Sequence, residues 1–439
     1  MRAKLTLLRA LVLGTVGGVL ATGCQTYDFE PVEPLAISQT TETRDIRARN
    51  AKPNLMMLVD TSGSMTLPVN ENLVVGTTYV CRKGGTSSGE ICGVSESFPC
   101  DTGGPLPGRC PTRWTSLQKA MSSFLTSSGS IARIGLATYP DLEADKEYKC
   151  GGTTGVTVAL PATESDDDAT LVKNATDVNN QLLAIKNASS TVGDKKPQGG
   201  TPTNESLRYI LSLPELKTDA RSNFVLLLTD GLPNCNEGFP TPYPNAGCSC
   251  TLGTLSGTSL CSYDPFDKLG CLDKTGSVAA VKALKDANIQ TIVIGFGAEL
   301  ATGAGTDVLN AMAQEGGFSR TCTVNADCGT GDTCDSASGR CGRRFYQAAN
   351  ADELVAALRK ISETIQEENP CLLTFDAGQA PTSQELVVVY VNEERLSPGA
   401  DTWSLTSEGI SFTGSTCARI QASTSANPVK IEVRAVQRR

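Results

Sequence analysis

The chain has no histidine. That absence removes Ser-His-Asp and Cys-His nucleophile chemistry and takes from zinc its commonest nitrogen ligand. Paired C-x-x-C knuckles are missing too, so a zinc module has no ligand set. Basic residues are in deficit, 38 Lys and Arg against 47 Asp and Glu, for a formal net charge of −9. A surface of that sign has no affinity for nucleic acid or anionic lipid. No Walker loop and no G-x-G-x-x-G after a strand is present, which argues against a nucleotide site. The longest apolar stretch near the start, Leu11 to Leu20, is too short to span a bilayer.

What the chain does have is cysteine, 17 of them. Arg2, Lys4 and Arg9 followed by the Leu11 to Leu20 run read as a secretory signal over residues 1–23. Ala21-Thr22-Gly23-Cys24 resembles a bacterial lipobox, with Ala21 where Leu is usual. Cys24 is therefore the expected lipidation site and the point of membrane anchorage. Setting Cys24 aside leaves an even number, so an exported protein with up to eight disulfides is expected. Residues 24–52 are polar and contain Pro31 and Pro34, which suggests a tether.

The stretch Asn54 to Met65, NLMMLVDTSGSM, organises the rest. Leu55 to Val59 is a short apolar run bounded by turn signals, as in a strand buried on both faces of a parallel sheet. Asp60, Ser62 and Ser64 follow on the loop past its C-terminal end, where open α/β sheets bind ligands. One carboxylate and two hydroxyls are hard oxygen donors, suited to Mg²⁺, Mn²⁺ or Ca²⁺. Taken alone, such a loop also has a plainer reading, a helix N-cap and turn.

Further along, helices are expected at Pro111 to Thr126, Val178 to Ala188, Glu205 to Leu213, Val278 to Ala287, Asp307 to Gln314 and Ala351 to Gln366. Strands are expected at Ile131 to Tyr139, Val156 to Leu160, Phe224 to Leu228, Thr291 to Phe296 and Arg344 to Gln347. Glu164 to Asp168 lacks the spaced ligands and central Gly of an EF-hand loop and reads as a solvated turn. The order implies an α/β fold, a doubly wound and mainly parallel sheet with the Val156 strand antiparallel. Cysteine-rich insertions interrupt it at 66–110, 233–271 and 318–343. In the last, Cys322, Cys328, Cys334 and Cys341 form a compact knot. Residues 368–439 are β-rich and contain Cys371 and Cys417, an expected single bridge in a small C-terminal module.

DTSGS at Asp60 to Ser64, GGT at Gly199 to Thr201 and TDG at Thr229 to Gly231 together resemble the von Willebrand factor type A (vWA) domain and its metal-ion-dependent adhesion site. The resemblance covers residues 53–367 apart from the insertions. It implies that Ser62 and Ser64 bind a divalent metal, Mg²⁺ or otherwise Mn²⁺ or Ca²⁺. Asp60 and Thr201 would do so directly or through water, and Asp230 through a bridging water. A protein or peptide partner would then offer a carboxylate to the metal. The expected function is metal-dependent binding at the cell envelope and not catalysis. An envelope scaffold that holds no metal is the alternative. If Val156 to Leu160 runs antiparallel, all three motifs emerge on one edge of the sheet. The first two insertions should stand around the metal, and the knot should sit on the opposite edge.

Overall fold

In the computed structural model the structure describes residues 43–44, 49–50, 52–94, 97–100, 110–142, 147–162, 168–188, 194–217, 222–255, 257–297, 303–329, 331–367, 371–374, 381–406, 409–421 and 429–436. The expected signal, Cys24 and most of the expected tether lie outside them. Five strands build the main sheet: β1 (Asn54–Asp60), β2 (Arg133–Tyr139), β3 (Asn223–Thr229), β4 (Ile289–Phe296) and β5 (Tyr346–Ala348). Their order is β5-β4-β3-β1-β2 and every pairing is parallel. The chain leaves β1 toward β2 on one side and returns to β3 on the other, so the topological switch point lies between β1 and β3. Brändén's rule places a ligand crevice at the carboxyl ends of those two strands.

The apolar runs form strands because both of their faces are covered. Leu55, Met57 and Val59 pack with helices α1 (Arg113–Ser128), α2 (Asp168–Ala184) and α6 (Ala351–Glu367). Met56 and Leu58 point the other way into α3 (Thr203–Ser212), α4 (Lys274–Asp286) and α5 (Ala304–Glu315). Period-two alternation thus feeds two cores at once. The sheet is α/β and doubly wound, as the sequence implies.

Two expectations need correction. Val156 to Leu160 is not a strand; it meets β2 at one isolated antiparallel bridge, Leu136 to Val158. At that bridge Leu136 O accepts from Thr157 and Val158 N–H and Leu136 N–H donates to Val158 O; beside it Asn174 Nδ2 donates to Ile134 O, and the Arg133 side chain donates to Pro161 O. Those bonds satisfy the edge without a sixth strand. The second helix begins at Asp168, ten residues before the expected start at Val178. Leu171, Ala175, Val178 and Leu182 are its buried stripe. Asn, Thr and Asp between them are poor helix formers and hide the first two turns from a propensity reading. The acidic run ends on the first residue of this helix, and residues 164–167 lie outside the described ones.

The cysteine-rich segments are cross-linked throughout. Cys81–Cys110 and Cys92–Cys100 staple the first insertion, and Cys248–Cys271 and Cys250–Cys261 the second. Cys322–Cys334 and Cys328–Cys341 make the knot. Its approach is fixed at the amino ends of the strands, where Thr291 of β4 bridges to Gly317 and Phe318 packs edge-on against Phe224, ring centroids 5.9 Å apart. The knot therefore lies at the opposite edge from Asp60.

Residues 372–436 add β6 (Leu372–Thr374), β7 (Val387–Val391), β8 (Glu394–Leu396), β9 (Trp403–Leu405), β10 (Gly409–Phe412), α7 (Gly414–Gln421) and β11 (Ile431–Val436). They form two antiparallel sheets around a single core of Leu373, Val389, Trp403, Ile410 and Val433. Cys371–Cys417 ties β6 to α7. Each sheet takes its fourth strand from the stretch read as a tether: Thr43–Arg44 pairs with β11 and Arg49–Asn50 with β6.

Candidate metal and docking site

Asp60 is the last residue of β1 and is fully buried. Its Oδ1 accepts from the backbone N–H of Ser62 at 2.8 Å, and its Oδ2 from the Thr229 hydroxyl at 2.7 Å. The carboxylate is thereby held between the ends of β1 and β3. Ser62 Oγ and Ser64 Oγ lie 3.0 Å apart, and Ser64 Oγ donates to Asp230 Oδ1 at 2.9 Å. The last two residues of the DTSGS loop open a 3₁₀ turn, Gly63–Thr66.

The third limb carries Thr201. Gln198 N–H donates to Thr61 O at 2.9 Å and Gly63 N–H to Gly199 O at 3.0 Å, lacing this loop to the first. Asn234 then clamps Thr201 reciprocally: its Oδ1 accepts from Thr201 N–H at 2.7 Å, and its own N–H donates to Thr201 O at 2.9 Å. A Cβ on Gly231 would meet Thr201 Oγ1 at 3.3 Å and Ser64 Oγ at 3.5 Å, so both hydroxyls converge on that glycine. The two glycines before Thr201 are demanded by their neighbours. A Cβ on Gly200 would lie 2.3 Å from Cys235 Sγ, and one on Gly199, at φ +84°, 2.3 Å from Lys149 O.

The structure thus brings Asp60, Ser62, Ser64, Thr201 and Asp230 together. Sequence reading missed three partners: Thr229, Asn234 and Arg113. Arg113 Nη1 donates to Asp230 Oδ2 at 2.8 Å, with the arginine side chain 4% and the aspartate 0% exposed. Arg113 is the first residue of α1, just after the Thr112 cap. Nothing local marks it, because the pair spans 117 residues.

Ser64, Thr201, Asp230 and Arg113 open onto a cavity of about 470 Å³. Asn234, Thr251 and Leu252 of the second insertion and Ala304 and Gly305 of α5 complete its wall, whereas the first insertion reaches it only through Leu67. Of the two insertions expected around the site, the second therefore contributes more of the rim than the first. Cys150–Cys235 fastens it across the loop after β2.

Burial, then the charge of Asp230, push the Asp60 carboxyl up from 3.8 to about 7. Burial, then Asp60, hold the Tyr139 phenol well above its usual value. Two carboxylates and three hydroxyls crowded in low dielectric are the donor set of a hard divalent cation, whose charge relieves that repulsion. The residues fit such an ion.

Two predictions arise here. The folded-state value of Asp60 lies above its ordinary one, so the metal-free fold holds this proton more tightly than the unfolded chain does. The stabilisation is full below about pH 4 and lost as pH rises toward about 7. In EDTA the urea midpoint should fall between about pH 5 and about pH 8, and Mg²⁺ should restore it. A midpoint that climbs over that range in EDTA contradicts the burial account. Replacing Asn234 by alanine should release Thr201, lowering Mn²⁺ affinity severalfold and stability by about 1–3 kcal/mol. Calorimetric titration and chemical denaturation check both, and wild-type affinity in the variant would remove Asn234 from the site.

No protein-family model and no curated protein matches the chain. Among solved structures it is similar to the pilus adhesin SpaC from Lactobacillus rhamnosus GG, at 14% identity over 91% of this chain and 42% of that one, TM-score 0.37. It is similar to the PilB minor pilin from Streptococcus sanguinis, at 15% identity over 74% and 63%, TM-score 0.37. It is also similar to the manganese-loaded TRAP protein of Plasmodium vivax, at 13% identity over 74% and 78%, TM-score 0.33. The chain thus spans less than half the length of SpaC.

Proposed function

We propose that this chain is an exported docking protein that binds a protein or peptide ligand through a divalent metal held by Asp60, Ser62, Ser64, Thr201 and Asp230. The observation that carries the reading is their convergence at the carboxyl ends of β1 and β3, the switch point where an open α/β sheet offers its ligand crevice. Ser62, Ser64 and Thr201 supply neutral oxygens. Asp60 supplies charge in a position fixed by Ser62 N–H and Thr229. Asp230 has one oxygen on Ser64 and the other on Arg113, which suits it to act through a water. A bound Mg²⁺ or Mn²⁺ would supply a Lewis-acidic position for a carboxylate of the partner. The wall formed by Asn234, Thr251 and Leu252 would then select which segments approach.

Export is supported by eight disulfides, which persist in oxidising compartments. Among the described residues no helix is long and apolar enough to cross a membrane. A lipid on Cys24, as its lipobox-like context suggests, would hold the protein at the cell envelope. We assign the site to binding and not to catalysis; the chain has no histidine, so Ser-His-Asp and Cys-His machinery is absent.

One observation favours the alternative of a scaffold that holds no metal: Arg113 already gives Asp230 a cationic partner. The two readings separate in one experiment. Immobilised protein is exposed to a displayed library of acidic peptides in Mg²⁺ and in EDTA. Selection of peptides in Mg²⁺ that elute with EDTA supports docking; enrichment indifferent to EDTA supports the scaffold.

A further inference from the structure

We infer that Arg113 is the specificity-determining residue of the docking site: its fixed charge weakens the metal's hold and converts the loaded site into a receptor for anionic partners. The inference rests on the metal-dependent reading above and deepens it. Asp60 and Asp230, ionised as they must be around a divalent cation, carry two negative charges. Left alone they would neutralise the metal, and a partner carboxylate would then make the site negative. Arg113 sits 2.8 Å from Asp230 with both side chains almost wholly out of solvent, so its charge is little screened. It removes one negative charge from the balance. The metal-loaded site is therefore one unit more positive than the same site without the arginine, which favours a partner carboxylate.

Three features show that the arginine is built in. Its own N–H donates to Leu67 O at 2.9 Å, which locks the start of α1 against the segment leaving the DTSGS loop. Gly297, just past the end of β4 at φ +122°, lies against the arginine, a Cβ there being in ordinary contact with Arg113 Nε at 3.5 Å. It also stands at the first position of α1, where the helix dipole is positive and a cation is disfavoured by that dipole. A cation kept there against the dipole is directed at Asp230. Its position also makes it a shared wall: Leu67 and Arg113 line both the site cavity and a second one of about 240 Å³ beneath the first insertion.

The prediction has opposite signs for two ligands, which a purely structural role cannot reproduce. Calorimetry on the full chain measures Mn²⁺ alone, then acetate added to the Mn²⁺-loaded protein. Arg113→Gln should bind Mn²⁺ about tenfold more tightly than wild type and acetate about tenfold more weakly, the direction Coulomb's law gives for removing one buried positive charge. Arg113→Lys, which keeps the charge, should stay close to wild type for both. Arg113→Met, similar in volume, serves as a second charge-removing variant should the glutamine form fail to fold. Weaker or unchanged Mn²⁺ binding in a folded, charge-removed variant would overturn the inference and leave the docking reading standing. A wild type that binds no Mn²⁺ would overturn both.

Discussion

Asp60→Ala should lose all thermal stabilisation by divalent metal. The wild-type protein at a Mn²⁺ concentration a hundred times its dissociation constant should gain about 2.7 kcal/mol. The variant should gain none, because the side chain it lacks anchors both the Ser62 N–H and the Thr229 hydroxyl. Without it the ends of β1 and β3 lose their common acceptor, and Ser62 is no longer presented to the ion. In EDTA the variant should not be catastrophically unstable. It sheds a buried carboxylate already pushed to about 7 by burial and by Asp230, which offsets part of the loss of two hydrogen bonds. Scanning calorimetry with and without Mn²⁺ at near-neutral pH reads both effects. A metal-induced shift equal to the wild type's would exclude Asp60 from the site.

The second large effect should come from the disulfide that crosses the site. Cys150 and Cys235 close a loop of 85 residues and join the segment after β2 to the second insertion. Removing both sulfurs, as Cys150→Ser with Cys235→Ser, should cost about 2–4 kcal/mol through the freed unfolded chain. The bridge lies against Gly200, and Cys235 is adjacent to Asn234, which holds Thr201. The double variant should therefore also bind Mn²⁺ on the order of tenfold more weakly, since an unpinned ligand must be ordered on binding. Removing Cys322–Cys334 from the knot is the control; it lies at the far edge and should leave Mn²⁺ affinity unchanged. Equal losses of affinity in the two variants would show a general loosening and not a local role for Cys150–Cys235.

How much of this was legible in the sequence follows from the physics of each element. Leu55 to Val59, Phe224 to Leu228 and Thr291 to Phe296 announce themselves because strands buried on both faces must be continuously apolar. Asp60, Ser62 and Ser64 were legible as hard oxygen donors because they follow such a run, whereas Thr201 and Asp230 were implied only by the resemblance of GGT and TDG to the vWA motifs. The early turns of α2 were not, because Leu171 and Ala175 are too sparse among Asn, Thr and Asp to outweigh propensity. Val156 to Leu160 misled because an apolar stretch beside an edge strand looks like its neighbour, while it meets β2 at the one Leu136–Val158 bridge and the Asn174 side chain takes Ile134 O. Thr43–Arg44 and Arg49–Asn50 are two-residue strands, below the length at which any periodicity can show.

Arg113 and Asn234 were invisible for a different reason. Their roles are defined by partners 117 and 33 residues away, and neither carries a local pattern. The electrostatics of the site therefore belong to the fold. The sequence names the candidate donors, but the balance of charge around them is set only when β1, β3 and the start of α1 come together.

The central claim is that these donors hold a divalent ion. Titration of the wild-type protein with Mn²⁺ at near-neutral pH, followed by calorimetry and repeated in excess EDTA, tests it most directly. The account predicts a single saturable site, abolished by EDTA and absent from Asp60→Ala. A folded wild-type protein that takes up no Mn²⁺ and no Mg²⁺ at millimolar concentration would contradict it.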